Sequence, residues 1–477
     1  MLPTSRAEPA LLAHHPDMLI ARVRRSAAPH AGRLTRDAVR RAAPGLHALH
    51  RHEQDGLLHY VVPLGREARR RVARSGRSGQ VAAALRAAAQ EQDRRPHTGH
   101  VLIHLKREEH RAALHRALRR DPHVADVSRV PTRYLWLPAS SDANQAGAML
   151  PPERLWNHAR IQLHAARRLP EFRVPSRIRV AVLDSGVQAR HPSLRNRIHS
   201  YVHSWERGHP FRTTARDLVG HGTHISGIIN ARHERVLGVH GITHCKLTVM
   251  KVFDDRLDAL PAEQARVFLV NPAYYRWSLA ECVSRRFDVV NLSLGGPAPP
   301  DPQEAALLTA LLAKGTTIVA AMGNALSHRD QPAYPAAFPG VIAVGAVGPD
   351  DKVAAFSRRG PHIALCAPGV AIWSTLSTYP GEFGFFDAAH PAERRSRGRP
   401  LSRNTRFDSW PGTSGACPHV TAAVALLLAS KGRMSPARVK ARLMRSADKV
   451  SGMKGKTFDP SYGAGRLNLK RLLEGKR

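Results

Sequence analysis

Three residue types that together can make a hydroxyl nucleophilic occur in the order Asp184, His221, Ser414, each set among small residues: AVLDSG, GHGTHISG and GTSGACPHV. A serine hydroxyl is a weak nucleophile at neutral pH and needs a neutral imidazole to take its proton. The imidazole in turn needs a carboxylate to fix its tautomer and to stabilise the imidazolium. A fourth segment, AAMGN, puts Asn324 between the histidine and the serine. The chemistry open to such a set is acyl transfer through serine, and its chain order differs from the His-Asp-Ser and Ser-Asp-His orders. Each residue alone has a plain alternative. DSG ends many strands, Gly-Thr-Ser caps many helices, and the chain has 28 histidines.

The elements around these residues read as an α/β domain over residues 153–477. Short apolar runs bounded by turn residues predict buried strands at Ile178–Leu183, Leu247–Phe253, Val289–Leu294, Thr317–Ala321 and Val341–Val347, with helical patterns such as Trp277–Arg286 and Glu304–Lys314 between them. That alternation implies a mainly parallel sheet flanked by helices on both faces. Asp184 and Asn324 directly follow apolar strands, where open α/β sheets keep their ligand sites. His221 and Ser414 open helical patterns, where the positive dipole end disfavours an imidazolium and favours an oxyanion.

Residues 1–137 read as a smaller α+β unit, with strands at Leu58–Leu64, Gly99–Leu105 and His123–Val130 and helices at Gln80–Glu91 and Arg107–Arg120. Residues 1–55 stay unassigned, as part of it or as an arm. Residues 138–152 have linker composition, and an Arg-rich insertion is expected over 377–410.

The formal charge is +36, from 73 Lys and Arg against 37 Asp and Glu. Basicity of that size suits nucleic acid or an anionic surface. Here it is spread along the chain and the Arg-rich insertion has few aromatics between its charges, which argues against nucleic acid. No run of 18 apolar residues suggests a membrane span. The start as written holds no apolar stretch of signal-peptide length and points to the cytoplasm, whereas a start assigned too far downstream would hide a secreted protein. The four cysteines have no metal-ligand spacing and sit in apolar contexts, as buried free thiols do.

At these motifs the chain resembles the subtilisin-like serine peptidases. VAVLDSGVQARHPSL, GHGTHISG, DVVNLSLGG, IVAAMGN, YPAAFPGVIAVGAV, AFSRRGPHIALCAPGV and YGAGRLNL match that family's segments in order, over about 320 residues. The resemblance implies a serine endopeptidase acting on polypeptides without a cofactor. Ser414 would be the nucleophile, His221 the general base and then acid, and Asp184 its orienting partner. Asn324 and the Ser414 N–H would hold the oxyanion, Thr413 would support them, and Ser293, Leu294 and Gly295 would pair with an extended substrate. Nothing acidic occurs among Ser293–Gly295, Ala320–Gly323 or Ala333, which implies an apolar or undemanding primary pocket. RRDPHVADVSRVPTRYLW resembles the end of the family's inhibitory propeptide, so the N-terminal region would be an intramolecular inhibitor cut between Tyr134 and about Leu150. A permanent interaction domain is the other reading of it.

The chain also departs from the family. Ser193 replaces the usual calcium-binding Asp, and ARHERVLGV replaces an Asn-rich loop, so no metal site is expected. Gly415 replaces a methionine beside the nucleophile, and Cys417 a small polar residue. A rival reading keeps the fold but makes it a catalytically silent binding protein.

Overall fold

The structure, a computed structural model, describes residues 13–24, 27, 43–64, 80–91, 98–135, 154–203, 214–233, 239–253, 258–260, 265–325, 330–379 and 406–474. The expected linker (138–152), the expected cleavage region beyond Leu135, most of the ARHERVLGV loop and the body of the insertion (380–405) lie outside them.

The N-terminal unit runs β1 (His14–Val23), α1 (Pro44–Gln54), β2 (Leu58–Pro63), α2 (Gln80–Glu91), β3 (His100–Leu105), α3 (Arg111–Arg119), β4 (Val124–Pro131) and β5 (Tyr134–Leu135). Its antiparallel sheet has the order β2-β3-β1-β4, so a strand from the stretch left unassigned by sequence lies inside it. Side chains of β1 alternate between two apolar faces. Leu19, Ala21 and Val23 pack with Leu46, Leu49, Leu85 and Leu114 of the helices. Met18 and Ile20 face the other way, into one core with Phe268, Tyr274 and Trp277 of the larger unit.

The larger unit continues with α4 (Trp156–Arg160), α5 (Leu163–Arg167), β6 (Arg179–Asp184), β7 (Ile198–Val202), α6 (His221–Asn230), β8 (Lys246–Lys251), β9 (Asp258–Leu260), β10 (Ala265–Val267), α7 (Pro272–Arg285), β11 (Val289–Leu292), β12 (Leu294–Gly295), α8 (Pro302–Ala313), β13 (Thr317–Ala321), β14 (Ile342–Val347), β15 (Ile363–Pro368), β16 (Ile372–Thr375), β17 (Phe407–Trp410), α9 (Thr413–Lys431), α10 (Pro436–Ser446) and α11 (Leu469–Glu474). Seven strands form a parallel sheet in the order β15-β14-β13-β11-β6-β8-β7. Val180 and Val182 of β6 meet Ile225, Ile228 and Val420 on one face, while Ala181 and Leu183 meet α7 and α8 on the other. This is the doubly covered α/β architecture expected from sequence.

Helix boundaries follow their caps. Asn271 accepts the N–H groups of Ala273 and Tyr274, and Asp301 those of Gln303 and Glu304, so α7 and α8 begin at Pro272 and Pro302, earlier than expected. The C-terminal end of the expected insertion is also ordered differently: residues 407–410 are β17, paired with β16. Among the described residues, only α9 is long and apolar enough to cross a membrane, and it runs buried through the core from Thr413 to Leu428.

The N-terminal unit seats on α7 and α8. Arg133 and Glu304, both buried, form a bidentate pair of 3.1 and 2.8 Å, and Arg133 Nη1 also donates to Ala298 O at 3.0 Å. Within the larger unit a buried pair joins Arg276 of α7 to Asp301 at the start of α8, and across to the N-terminal unit Trp277 Nε1 donates to Pro63 O at 3.2 Å. Close by, His15 is buried on β1; desolvation pushes its pKa down to about 3, the Arg276 and Arg133 charges adding to this against the opposing pull of Asp17. A histidine held neutral in the fold stabilises it fully above its ordinary value near 6.5, and that contribution is lost as pH falls from there towards 3. Thermal melts of the Ser414→Ala chain are expected to show a melting temperature that falls through this window. His15→Phe is expected to make the slope shallower, other buried histidines with lowered pKa keeping their share, and an unchanged slope would show that His15 does not contribute to it.

Candidate active site

Asp184 is the last residue of β6 and His221 the first of α6. His221 Nδ1 donates to Asp184 Oδ1 at 2.8 Å, and the same oxygen accepts the Ser185 N–H at 2.7 Å. That bond puts the imidazole proton on Nδ1 and leaves the Nε2 lone pair to act as a base. Both side chains are buried. His221 Nε2 carries no hydrogen bond among the described residues, so the serine–imidazole bond is not made in this ground state. Such bonds often tighten only when substrate binds.

The spacing between β6 and α6 is fixed by Asp217. Its Oδ1 accepts from Ser185 Oγ and Gly220 N, both at 2.8 Å; its Oδ2 accepts from Thr223 N at 2.9 Å and Thr223 Oγ1 at 2.6 Å. Ser185 Oγ in turn accepts the Gly222 N–H at 2.9 Å. These bonds satisfy N–H groups of the first turn of α6, which a helix cannot satisfy itself. A side chain at Gly222 would fall 2.0 Å from Gly186 O, so close an approach that only glycine fits.

Ser414 lies in the first turn of α9 behind Gly412, whose φ of +149° suits glycine. Asn324 follows β13. Its Oδ1 accepts from Thr413 N at 2.9 Å and Thr413 Oγ1 at 2.8 Å. A backbone N–H can bond only the amide oxygen, which settles the amide orientation. The other end, Nδ2, borders a hollow beside Gly412. A Cβ placed on Gly412 would stand 2.8 Å from Ser414 Oγ, 3.4 Å from Asn324 Nδ2 and 3.7 Å from Ser414 N. A serine hydroxyl, a side-chain amide and a backbone amide thus lie within 3.7 Å of one point.

Ser293, Leu294 and Gly295 pass beside this hollow as β12 and its approach. The tail of the N-terminal unit is paired with them: Tyr134 lies opposite Gly295 and Leu135 opposite Leu294, antiparallel. On its other side Tyr134 bridges to Leu269, and Leu135 N donates to Phe268 O at 3.1 Å. A Cβ on Gly296 would fall 2.1 Å from Thr132 O, so this contact too requires glycine. An extended segment of the same chain is therefore added to β12 as a strand.

Two neighbours went unnoticed in the sequence. Trp410 stacks on His224 at 4.5 Å and 11°, and lies nearly parallel to His221 at 6.3 Å. His224 Nε2 bonds Ile372 O at 3.0 Å, and burial, with the nearby His221 adding to it, pushes its pKa down to about 3. It stays neutral beside His221. The only available signal was aromatic and imidazole residues beside the two motifs. Ser193, which stands where the resemblance puts a calcium-binding Asp, offers no carboxylate, and its carbonyl accepts the Arg232 N–H at 2.8 Å.

The model of the subtilase family matches residues 176–465. Subtilisin E of Bacillus subtilis (strain 168) is 31% identical over 301 residues, covering 62% of this chain and 65% of the relative. The major intracellular serine protease of the same organism is 29% identical over 277 residues, covering 56% and 75%. The chain thus spans 65% of the length of the subtilisin it matches. Its fold is that of the solved structure of fervidolysin from Fervidobacterium pennivorans, described as a keratinolytic enzyme related to subtilisin. That match has a TM-score of 0.56 and 24% identity, covering 80% of this chain and 57% of that one.

The hollow gives a direct test. Gly412→Ala puts a methyl group 2.8 Å from Ser414 Oγ and strains a positive φ, at a stability cost of about 1–3 kcal/mol. The variant is expected to fold by circular dichroism while Ser414 loses at least about 100-fold in its rate of reaction with a fluorophosphonate. Labelling at the wild-type rate would show that the hollow has no part in the chemistry.

Proposed function

This chain belongs to the subtilase family, and we propose that it is a serine endopeptidase whose N-terminal unit is an intramolecular inhibitor. The observation that carries the reading is the single point bordered by Ser414 Oγ, Asn324 Nδ2 and Ser414 N, with Ser414 on a helix packed against the one that opens with His221, whose imidazole is already bonded to Asp184. A substrate backbone pairs with Ser293–Gly295 and brings its carbonyl to that point. Ser414 Oγ attacks the carbonyl carbon as its proton passes to His221 Nε2, and Asp184 stabilises the imidazolium. The oxygen, now negative, is held by Asn324 Nδ2–H and the Ser414 N–H at the positive end of α9. His221 returns the proton to the leaving amine, and water then hydrolyses the acyl-enzyme through the same groups.

The inhibitor reading is supported by β5, which occupies the strand position a substrate needs, and by the buried Arg133–Glu304 pair that seats it. Polypeptides are the substrate class, because a cleft that pairs backbone to backbone recognises an extended chain.

A fluorophosphonate should label wild type and fail to label Ser414→Ala; a wild type that does not label favours the silent binding protein instead. Asn324→Ala should lower kcat on the order of 10²- to 10³-fold, the magnitude established for this donor in subtilisin and not one deduced from this chain. Intact-mass measurement of wild type beside Ser414→Ala tests autoprocessing. The expected result is a cut beyond Leu135 in wild type alone, and a full-length wild type that still digests casein would establish a permanent domain.

A further inference from the structure

A buried polar circuit runs from the substrate-pairing strand to the nucleophile's helix. Pro418 lies inside α9 and has no N–H, so the carbonyl of Ser414, four residues earlier, cannot make its helical hydrogen bond. Ser293 Oγ takes it instead, donating to Ser414 O at 3.0 Å across 121 residues of chain. Ser293 Oγ accepts from Asn291 Nδ2 at 3.0 Å, and Asn291 Oδ1 accepts from Thr421 Oγ1 at 2.8 Å and Cys417 Sγ at 3.3 Å. Asn291, Ser293, Cys417 and Thr421 are all fully buried. Burial also pushes the Cys417 thiol up to about 12, so it remains a donor. A buried network of this kind is rigid when every member is satisfied.

We propose that Asn291 and Ser293 are positioning residues that set the register between the substrate-pairing strand and Ser414, acting through the Ser414 carbonyl that Pro418 leaves available. This rests on the peptidase reading above. Ser293 thereby has two separate tasks. Its backbone belongs to the strand that holds substrate, and its hydroxyl fixes how far that strand stands from the attacking oxygen. Misplacement of about 1 Å is enough to cost acyl transfer much of its rate.

The test uses the full chain, with kcat expressed per active site titrated by fluorophosphonate so that unfolded or unlabelled protein does not enter the rate. Wild type must titrate first; failure there overturns the peptidase reading and not the role of Ser293. Ser293→Ala keeps the pairing backbone and is expected to lower kcat about tenfold on an extended peptide substrate, with KM within about twofold. Ser293→Thr keeps the hydroxyl and is expected to recover most of the rate. Pro418→Ala restores an N–H that can claim the Ser414 carbonyl, so adding Ser293→Ala to that variant is expected to cost about twofold or less. An unchanged kcat in Ser293→Ala, a loss carried by KM, or the same tenfold loss in the Pro418→Ala background would each overturn the proposal.

Discussion

A carboxylate that reaches no substrate holds the site together. Removing Asp217 from water is costly, and the cost is offset only while both of its oxygens are fully bonded. Its donors come from the end of β6 and the first turn of α6, the two segments that carry Asp184 and His221. Any separation of these segments would leave a buried acceptor unmet, so the 2.8 Å bond between Asp184 and His221 follows from packing enforced elsewhere. Asn324 and Thr413 play the corresponding part on the other side of the hollow, where β13 meets α9.

The N-terminal unit is bound by a different balance. One face of its sheet is continuous with the core beneath α7 and α8, which supplies the driving force for docking. The Arg133–Glu304 pair adds little net stability by comparison, because burying charges costs about what pairing returns. Its two-point geometry instead fixes Arg133 against α8, immediately before the Tyr134–Leu135 segment that lies along β12. Shape and charge here divide the work: apolar area holds the unit on, and one ion pair anchors the start of its tail.

Much of this was legible in the chain. The fully buried strands β11, β13 and β14 read as continuous apolar runs, and Asp184, His221 and Ser414 stood out because each stands at a strand end or helix start among small residues that permit close backbone approach. Strand β1 was not legible. It lies inside its sheet with apolar residues on both faces, while histidines and an aspartate at its start hide any simple alternation. Strand β7 is a half-exposed edge, IHSYV, without an apolar signature. The Ser293 hydroxyl bond escaped notice for another reason. Pro418 announces that one carbonyl is left over, but nothing local says which distant side chain takes it.

Strand β5 has a consequence for solution behaviour. Strand β12 alone would present unpaired backbone donors and acceptors, the surface on which separate chains join into aggregates. With Tyr134–Leu135 between β12 and the Leu269 segment, that border is closed from within the same molecule. A chain that keeps β5 in this place is thereby guarded at that border against edge-to-edge pairing with other copies.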